Sequence, residues 1–402
     1  MLRAVLLQIE PTKSKLKRLR EFSSNACLEL NRLLSERKSC SGFGLKELHR
    51  KTFSTSKDNT RFNVQVICSL IRQANRFKGE KAEGVTVKFN VPRNCKTFKT
   101  KSKFFVELGT YPRNRIAVPV KQNRNLQRFE SLIQDGWICK TFGLTPALQI
   151  VAYLSKKKEI PERKNVLGID VNAKCFAISV VSPNGKILYQ TYLGKQIWVK
   201  RKKIMERRSL LQFFNAKRKL KRLRNRERNF VKTNLGQVVR EIIEIAKRFD
   251  ADIAIENLKR FKPIGRKFNK IVMRIPFAKF KSILQQRCFD NDINLNVGDS
   301  WHTSKWCSRC GAVGNGHSAN YAIFKCKNCG QVVNSDRKAS LAIAVKSLLE
   351  RTHTVNPNEF CVQISNRRVP VSGLLRSNEI GCNNAVHLTQ PFDGKPTPFM
   401  GG

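Results

Sequence analysis

Four cysteines in the C-terminal half constrain this chain more than any other feature. They read Cys307-Ser-Arg-Cys310, then an interval of fifteen residues, then Cys326-Lys-Asn-Cys329. Each pair is spaced to turn two thiolates toward one point, and two such turns complete the tetrahedral sulfur set of a zinc ribbon. Four thiolates leave no open coordination position, so the ion would be structural and the chemistry must lie elsewhere. His302 and His317 stand close in sequence, but four sulfurs already saturate one ion.

Asp336 follows the last cysteine pair, and two further carboxylates sit where apolar strands would end: Asp170 in VLGIDVN and Glu256 in IAIENL. A zinc-bearing insertion between the second and third members of an acidic triad points to a nuclease. Phosphodiester hydrolysis needs an activated water and compensation of the charge that develops on the leaving oxygen. Two magnesium ions about 4 Å apart supply both. Magnesium is hard and takes oxygen ligands, so carboxylates must converge on it. Gly168, two residues before Asp170, permits close backbone approach. Asp336 would enter from the first turn of the last helix, whose N-terminus favours a phosphate nearby. Taken singly, an acid after a strand is more often a turn or cap residue; the trio carries the argument. Asp250, Asp252, Asp292 and Asp299 compete for the role but rank below, because their settings read as turns.

The charge narrows the partner. In 402 residues, 78 Lys+Arg against 29 Asp+Glu give a net charge of +49, an electrostatic footprint for a polyanion. It is densest over Lys200–Lys232, where Phe213, Ala216, Leu220, Leu223 and Phe230 keep a helical stripe and most other positions are Lys or Arg. Charges of one sign repel one another unless a phosphate backbone neutralises them. The alternative is a solvated helical arm. Candidate contacts are Lys200, Arg201, Lys202, Lys203, Arg207, Arg208, Lys217, Arg218, Lys221, Arg222 and Arg224 on this stretch. The ribbon adds Lys305, Trp306, Arg309, Lys325 and Lys327. Trp306 either stacks on an unpaired base or plugs the ribbon.

The 13 cysteines do not form a disulfide framework: four belong to the ribbon, and others, such as Cys27, Cys68 and Cys175, lie singly in apolar surroundings. The opening MLRAVLLQIEPTK is too short in its apolar run for a signal peptide, and FGLTPALQIVAYL is broken by Pro146. A soluble protein of a reducing compartment is expected, with no membrane partner.

Along the chain, residues 2–9 read as a strand and Thr12–Arg37 as a basic helix. A further helical region reaches through Val64–Phe77. From Gly84, VTVKFNV, KFFVEL, RIAVPV and ALQIVAYL read as antiparallel strands able to close a small β-barrel with the first. KKKEIPERK is a linker. NVLGID, CFAISVVS and KILYQTYL then read as three antiparallel strands of an RNase H-type sheet, the turn being Pro183-Asn184-Gly185. A helix through Leu235–Ala246, strand Asp252–Ile255, helix Pro276–Asp290 and strand INLNVGD precede the ribbon. Ala339–Leu349 reads as a short amphipathic helix, and residues 351–402 lose periodicity and read as a largely disordered tail.

GIDVNAKCFAIS, IAIENL, WHTSKWCSRCG, FKCKNCG and NSDRKASLAIA, with the basic helix, resemble the TnpB family of insertion-sequence-encoded nucleases, relatives of the type V CRISPR effectors. The resemblance spans about residues 1–350. It implies an α/β multidomain architecture. Residues 1–11 and 79–163 would be a wedge-like β-barrel and 12–78 a helical recognition lobe. Residues 164–300 and 334–350 would be an RNase H-like, RuvC-type nuclease interrupted by a zinc ribbon at 301–333. Asp170, Glu256 and Asp336 match the family's catalytic positions. The implied activity is RNA-guided DNA cleavage with magnesium, in a prokaryotic, nucleoid-associated cytoplasmic setting. The implied partners are a transposon-encoded guide RNA and double-stranded DNA carrying a short flanking motif. The chain departs from the family pattern after Glu256: Ser335 stands for an Arg, and Lys338 and Ala342 for two Asn. Two alternatives accompany this reading: a compact type V CRISPR effector, and a guided DNA-binding repressor with weak or no cleavage. An unguided RNA-binding protein would leave the acids unexplained.

Overall fold

Val166-Leu-Gly-Ile169 carries no polar side chain, and in the computed structural model it lies in the central strand of a sheet covered on both faces. The described residues are 1–39, 44–172, 174–258, 276–314, 316–317, 322–351, 361–364, 367–371 and 374. They fall into two units, Met1–Lys158 and Glu159–Gly402.

The first unit runs β1 (Leu2–Leu7), α1 (Lys13–Ser39), α2 (Leu45–Thr60), α3 (Val64–Arg76), β2 (Val87–Asn90), β3 (Cys95–Lys99), β4 (Phe104–Tyr111), β5 (Asn114–Val120), α4 (Arg124–Gln134), β6 (Ile138–Leu144) and β7 (Ile150–Ser155). Its seven strands make two antiparallel sheets, β1-β7-β6-β2 and β3-β4-β5. Main-chain bonds from Glu10 N to Pro119 O (2.9 Å) and from Lys121 N to Gln8 O (2.8 Å) stitch them together. Two helices escaped the sequence reading. In α2, buried Leu48, Thr52 and Ser56 keep helical spacing, but two of the three are polar and give no hydrophobic signal. In α4, Leu126, Phe129 and Leu132 do keep a buried apolar stripe, and Asn123 accepts from the backbone N–H of Asn125 and Leu126 as an N-cap.

The second unit runs β8 (Asn165–Val171), β9 (Phe176–Val181), β10 (Ile187–Leu193), α5 (Lys195–Phe213), α6 (Lys217–Arg248), β11 (Ala251–Glu256), α7 (Phe277–Asp290), β12 (Leu295–Gly298), β13 (Ile323–Lys325), β14 (Val332–Asn334), α8 (Ser335–Arg351), β15 (Cys361–Ile364) and β16 (Arg367–Pro370). The sheet order is β10-β9-β8-β11-β12, with β8–β10 antiparallel and β11 and β12 parallel to β8. That is the RNase H-type arrangement. Alternation on β8 separates the two cores: Leu167, Ile169 and Val171 pack with α6 and α7, while Val166 meets α8. Every residue of β9 is buried, so the sheet is covered on both faces at that strand. Each Leu, Ile or Val so buried contributes on the order of 1.5–3 kcal/mol.

Two expectations for the C-terminal part change. Helix α8 is not amphipathic. It is buried from Lys338 to Leu349, because the sheet covers one side while Trp306, Val369, Val371 and Leu374 pack in the same core. Residues 361–364 and 367–370 therefore do not belong to a structureless tail: β15 and β16 pair as a hairpin, and the chain just beyond closes over α8. No helix among the described residues is long and apolar enough to cross a membrane.

Candidate active site and metal centre

Asp170 and Glu256 leave from the same ends of adjacent strands. Strands β8 and β11 are parallel, with Ile169 opposite Ile255, so the next residue on each strand is an acid. Alternation turns Asp170 to the face opposite Ile169, the face that carries α8. Gly168 lies on that same face, where the backbone of α8 crosses β8: an added Cβ would sit 2.3 Å from Ser340 O and 2.5 Å from Ala344 N. The close approach read from the sequence is thus made by a helix. Ser340 Oγ also bonds Ser179 Oγ on β9 at 2.7 Å. With α8 held down this way, its first turn brings Asp336 to the strand ends.

The electrostatics report the convergence. Burial pushes the Asp170 carboxyl well above the ordinary carboxylate range, Glu256 and then Asp336 push it further, and Lys338 opposes them. Burial also raises Glu256, opposed by a bond from Thr303 Oγ1 to its Oε1 (2.5 Å) and by the Lys346 charge, and aided by Asp299. Burial raises Asp336, opposed by Asn172, whose Nδ2 donates to Oδ1 at 2.6 Å, and by the charge of Lys174. The charges of Glu256 and Asp336 are thus both felt at Asp170, the condition that a divalent cation relieves. Their oxygens are not drawn into a tight ligand set: among the described residues, the only such group lying within 4.8 Å is the cysteine quartet.

Of the lower-ranked acids, Asp252 and Asp250 are engaged elsewhere, whereas Asp299 stays beside Glu256. Asp252 is fully buried near the opposite end of β11, bonded by Arg351 (2.8 Å) and by the backbone N–H of Arg163 and Asn294 (both 3.0 Å). Asp250 pairs with Arg163. Asp299 lines the same small cleft as Glu256.

Cys307, Cys310, Cys326 and Cys329 bring their sulfurs together, with Cys307–Cys329 at 3.7 Å and Cys310–Cys326 at 3.6 Å. Each pair is closed by a glycine of positive φ, Gly311 (+73°) and Gly330 (+68°), whose N–H returns to the carbonyl of Cys307 or Cys326. Four converging sulfurs suit a metal such as zinc. His317 Nδ1 instead contacts Ser335 Oγ at 3.3 Å, and the His302 ring stacks on Trp301.

Three expected nucleic-acid contacts are corrected. Trp306 is fully buried and its Nε1 donates to Pro370 O at 3.0 Å, so the plug reading holds and base stacking does not. Arg201 and Arg208 on α5 both bond Glu227, a buried acid on α6 (Arg201 Nε to Oε1, 3.1 Å), and so clasp two helices together. The basic stretch is itself not one helix: the chain turns at residues 214–216, and α5 packs back on α6. Lys200, Lys202, Lys203, Arg207, Lys217, Arg218, Lys221, Arg222 and Arg224 remain exposed on the hairpin, as do Lys305, Arg309, Lys325 and Lys327 on the cysteine-bearing segment.

Four residues beside the site escaped sequence reasoning: Asn172, Thr303, Lys346 and the role of Lys338. The Lys338 side chain is buried. Its Nζ donates to Ser304 O (2.6 Å) and Trp306 O (2.9 Å) and lies 4.1 Å from the Phe324 ring centre. Burial pulls its pKa down to about 8. It staples α8 to the segment that carries the cysteines. Only Asn172, two residues from Asp170, offered a local signal.

The family model described as Cas12f1-like, TNB domain, matches residues 277–343, from α7 into α8. Over 130 residues the chain is 28% identical to the CRISPR-associated endodeoxyribonuclease Cas12f1 of Sulfoacidibacillus thermotolerans, covering 32% of this chain and 30% of that one. Over 215 residues it is 27% identical to a TnpB-like protein of Aquifex aeolicus, covering 46% of this chain and 68% of that one. These matches make the chain similar to both TnpB-like and Cas12f1 proteins. Its fold matches a Cas12f1 solved with single-guide RNA and target DNA, at TM-score 0.58 and 13% identity over 83% of each chain. The chain therefore shares the multidomain fold of that protein. The match to the Sulfoacidibacillus protein spans less than a third of that protein's length.

Proposed function

We propose that this chain is an RNA-guided DNA endonuclease that hydrolyses phosphodiesters at one RuvC-like site formed by Asp170, Glu256 and Asp336. The observation that carries the proposal is their convergence from three distant parts of the chain, with the charge of each acid felt at Asp170. Hard carboxylate oxygens at strand ends are the donor set that magnesium takes, and two such ions, when bound, would activate water and offset charge on the leaving oxygen. The chain's own residues prepare the site. Thr303 orients Glu256, Asn172 orients Asp336, and the packing of α8 on Gly168 keeps the third acid against the first. The cysteine quartet would hold one structural zinc.

The partners proposed are a guide RNA encoded at a transposon end and double-stranded DNA with a short flanking motif. Base pairing would read the target, and the exposed Lys and Arg of α5 and α6 would contact backbone phosphates. The wedge-like barrel and helical recognition lobe in residues 1–163 remain part of this reading, as does a cytoplasmic setting. A compact type V CRISPR effector is the second reading, supported by the Cas12f1-like match over 277–343. A guided repressor draws on the altered Ser335, Lys338 and Ala342, but all three acids are present.

The test is purification with bound RNA, sequencing of that RNA, and cleavage of matching DNA with and without magnesium. Asp170→Ala is expected to abolish cutting and retain guided binding. Undiminished cutting by that variant overturns the site, and RNA derived from a CRISPR array favours the second reading.

A further inference from the structure

The hairpin of α5 and α6 has two unlike edges. Residues on a helix are spaced about 100° apart around its axis. On α5, Ile204 therefore faces α6, with Arg201 and Arg208 on one flank and Lys200, Lys203 and Arg207 on the other. On α6, Leu223 and Phe230 face back, with Glu227 on one flank and Arg226 on the other. The first edge is closed by the bonds of Arg201 and Arg208 to Glu227. The second edge is open: it holds a cleft of about 410 Å³ whose floor is Ile204, Leu223 and Phe230. Its rim is Lys200, Lys203, Arg207 and Arg226, and no carboxylate lines it.

That combination selects a ligand class. A bare phosphate chain has no use for an apolar floor, and a paired duplex keeps its bases inside. An unpaired nucleotide carries a flat apolar base and an anion on one small unit, and the cleft volume lies in the range of small-molecule pockets, about 300–1,000 Å³. The geometry points to a site for one unpaired nucleotide of a single strand, its base against Phe230 and its phosphates on the rim cations. This inference rests on the nucleic-acid function proposed above and adds to it a place where a base is held out of its stack.

The test is ultraviolet crosslinking of the full chain as purified with its RNA, alone and with a single-stranded DNA oligonucleotide containing 5-iodouracil, with adducts mapped by mass spectrometry. A nucleotide adduct on Phe230 is expected, and its sugar tells whether guide or DNA supplies the base. Phe230→Leu keeps the floor apolar but removes the ring. It is expected to lower affinity for a base-bearing strand, relative to an abasic strand of equal length, by about tenfold, and Phe230→Trp should restore the preference. Adducts found only outside the cleft, or an unchanged preference in Phe230→Leu, overturn the site and leave the nuclease reading standing. Failure to bind either strand overturns both. Protection of the cleft by an acidic peptide but not by oligonucleotides assigns it to a protein partner and overturns the nucleotide site.

Discussion

A side chain added at Gly168 would lie 2.3 Å from the carbonyl oxygen of Ser340, a backbone atom of the helix whose first turn carries Asp336. Strand and helix backbones meet with only the Ala344 methyl beside the contact, so the position of the third acid depends on the absence of a Cβ on the strand that carries the first.

Gly168→Ala is therefore expected to push α8 off the sheet. Overpacking of this kind costs about 1–3 kcal/mol. Thermal melting should show that loss, and guided cleavage should fall further than the stability change accounts for, because Asp336 moves with the helix. Wild-type cleavage in this variant would mean that the contact does not set the site.

The raised carboxyl groups give a pH dependence of definite sign. Asp170, Glu256 and Asp336 hold protons more tightly folded than unfolded. Their contribution to stability is present below the ordinary carboxylate range and is lost as pH rises through their raised folded values. Without divalent ions, Asp170→Asn is expected to raise the melting temperature at neutral pH while abolishing cleavage. Magnesium competes with protons for these carboxylates, so the acid limb of wild-type cleavage should move to lower pH as magnesium is raised. A limb that does not move with magnesium counts against metal binding by these acids.

Thr303→Val keeps shape and removes the hydroxyl that bonds Glu256. Loss of a partner that orients a metal-ligating group typically costs about 10–100-fold in metal affinity or activity. Magnesium titration of cleavage should show the shift, with guided DNA binding unchanged; an unchanged titration would remove Thr303 from the site.

Metal analysis should find one tightly held zinc per chain, absent after Cys310→Ser. Chelation is expected to lower the melting temperature and loosen Lys338, whose bonds to the carbonyls of Ser304 and Trp306 depend on that segment. Leaving such buried groups unpaired costs about 1–3 kcal/mol each. Zinc-free protein with unaltered melting would contradict this.

Neighbouring basic residues should behave differently. Arg201→Ala removes a partner of buried Glu227 and is expected to lower the melting temperature. Exposed Lys202→Ala should leave melting unchanged and weaken nucleic-acid binding, reducing the steepness of its logarithmic salt dependence by about 0.9 if one phosphate contact is lost. Identical effects of the two substitutions would refute the division into clasp and contact.

The parts of the site that could be read from sequence are those with local signatures. Asp170 and Glu256 each close an apolar run of strand length, and the cysteines announce themselves by spacing. The parts that could not be read depend on residues far away in the chain. Lys338 looks like any helical lysine until Ser304 and Trp306 lie beneath it. Arg201 and Arg208 look like phosphate contacts until the chain doubles back and sets Glu227 between them. Val369, Val371 and Leu374 show no periodic signal because they pack in the core of α8 and Trp306, and Pro370 accepts from the Trp306 ring.

Local order along the chain was enough to read the strands of the five-stranded sheet, the four-sulfur group and the three candidate acids, because strand alternation and ligand spacing are properties of a few consecutive residues. Folding in three dimensions alone decided that Gly168 seats a helix, that Trp306 is a plug, and which arginines are free to meet a partner. Burial and ion pairing at those positions come from segments distant along the chain, 64 residues for Trp306 and Pro370, or from a chain reversal that periodicity does not reveal.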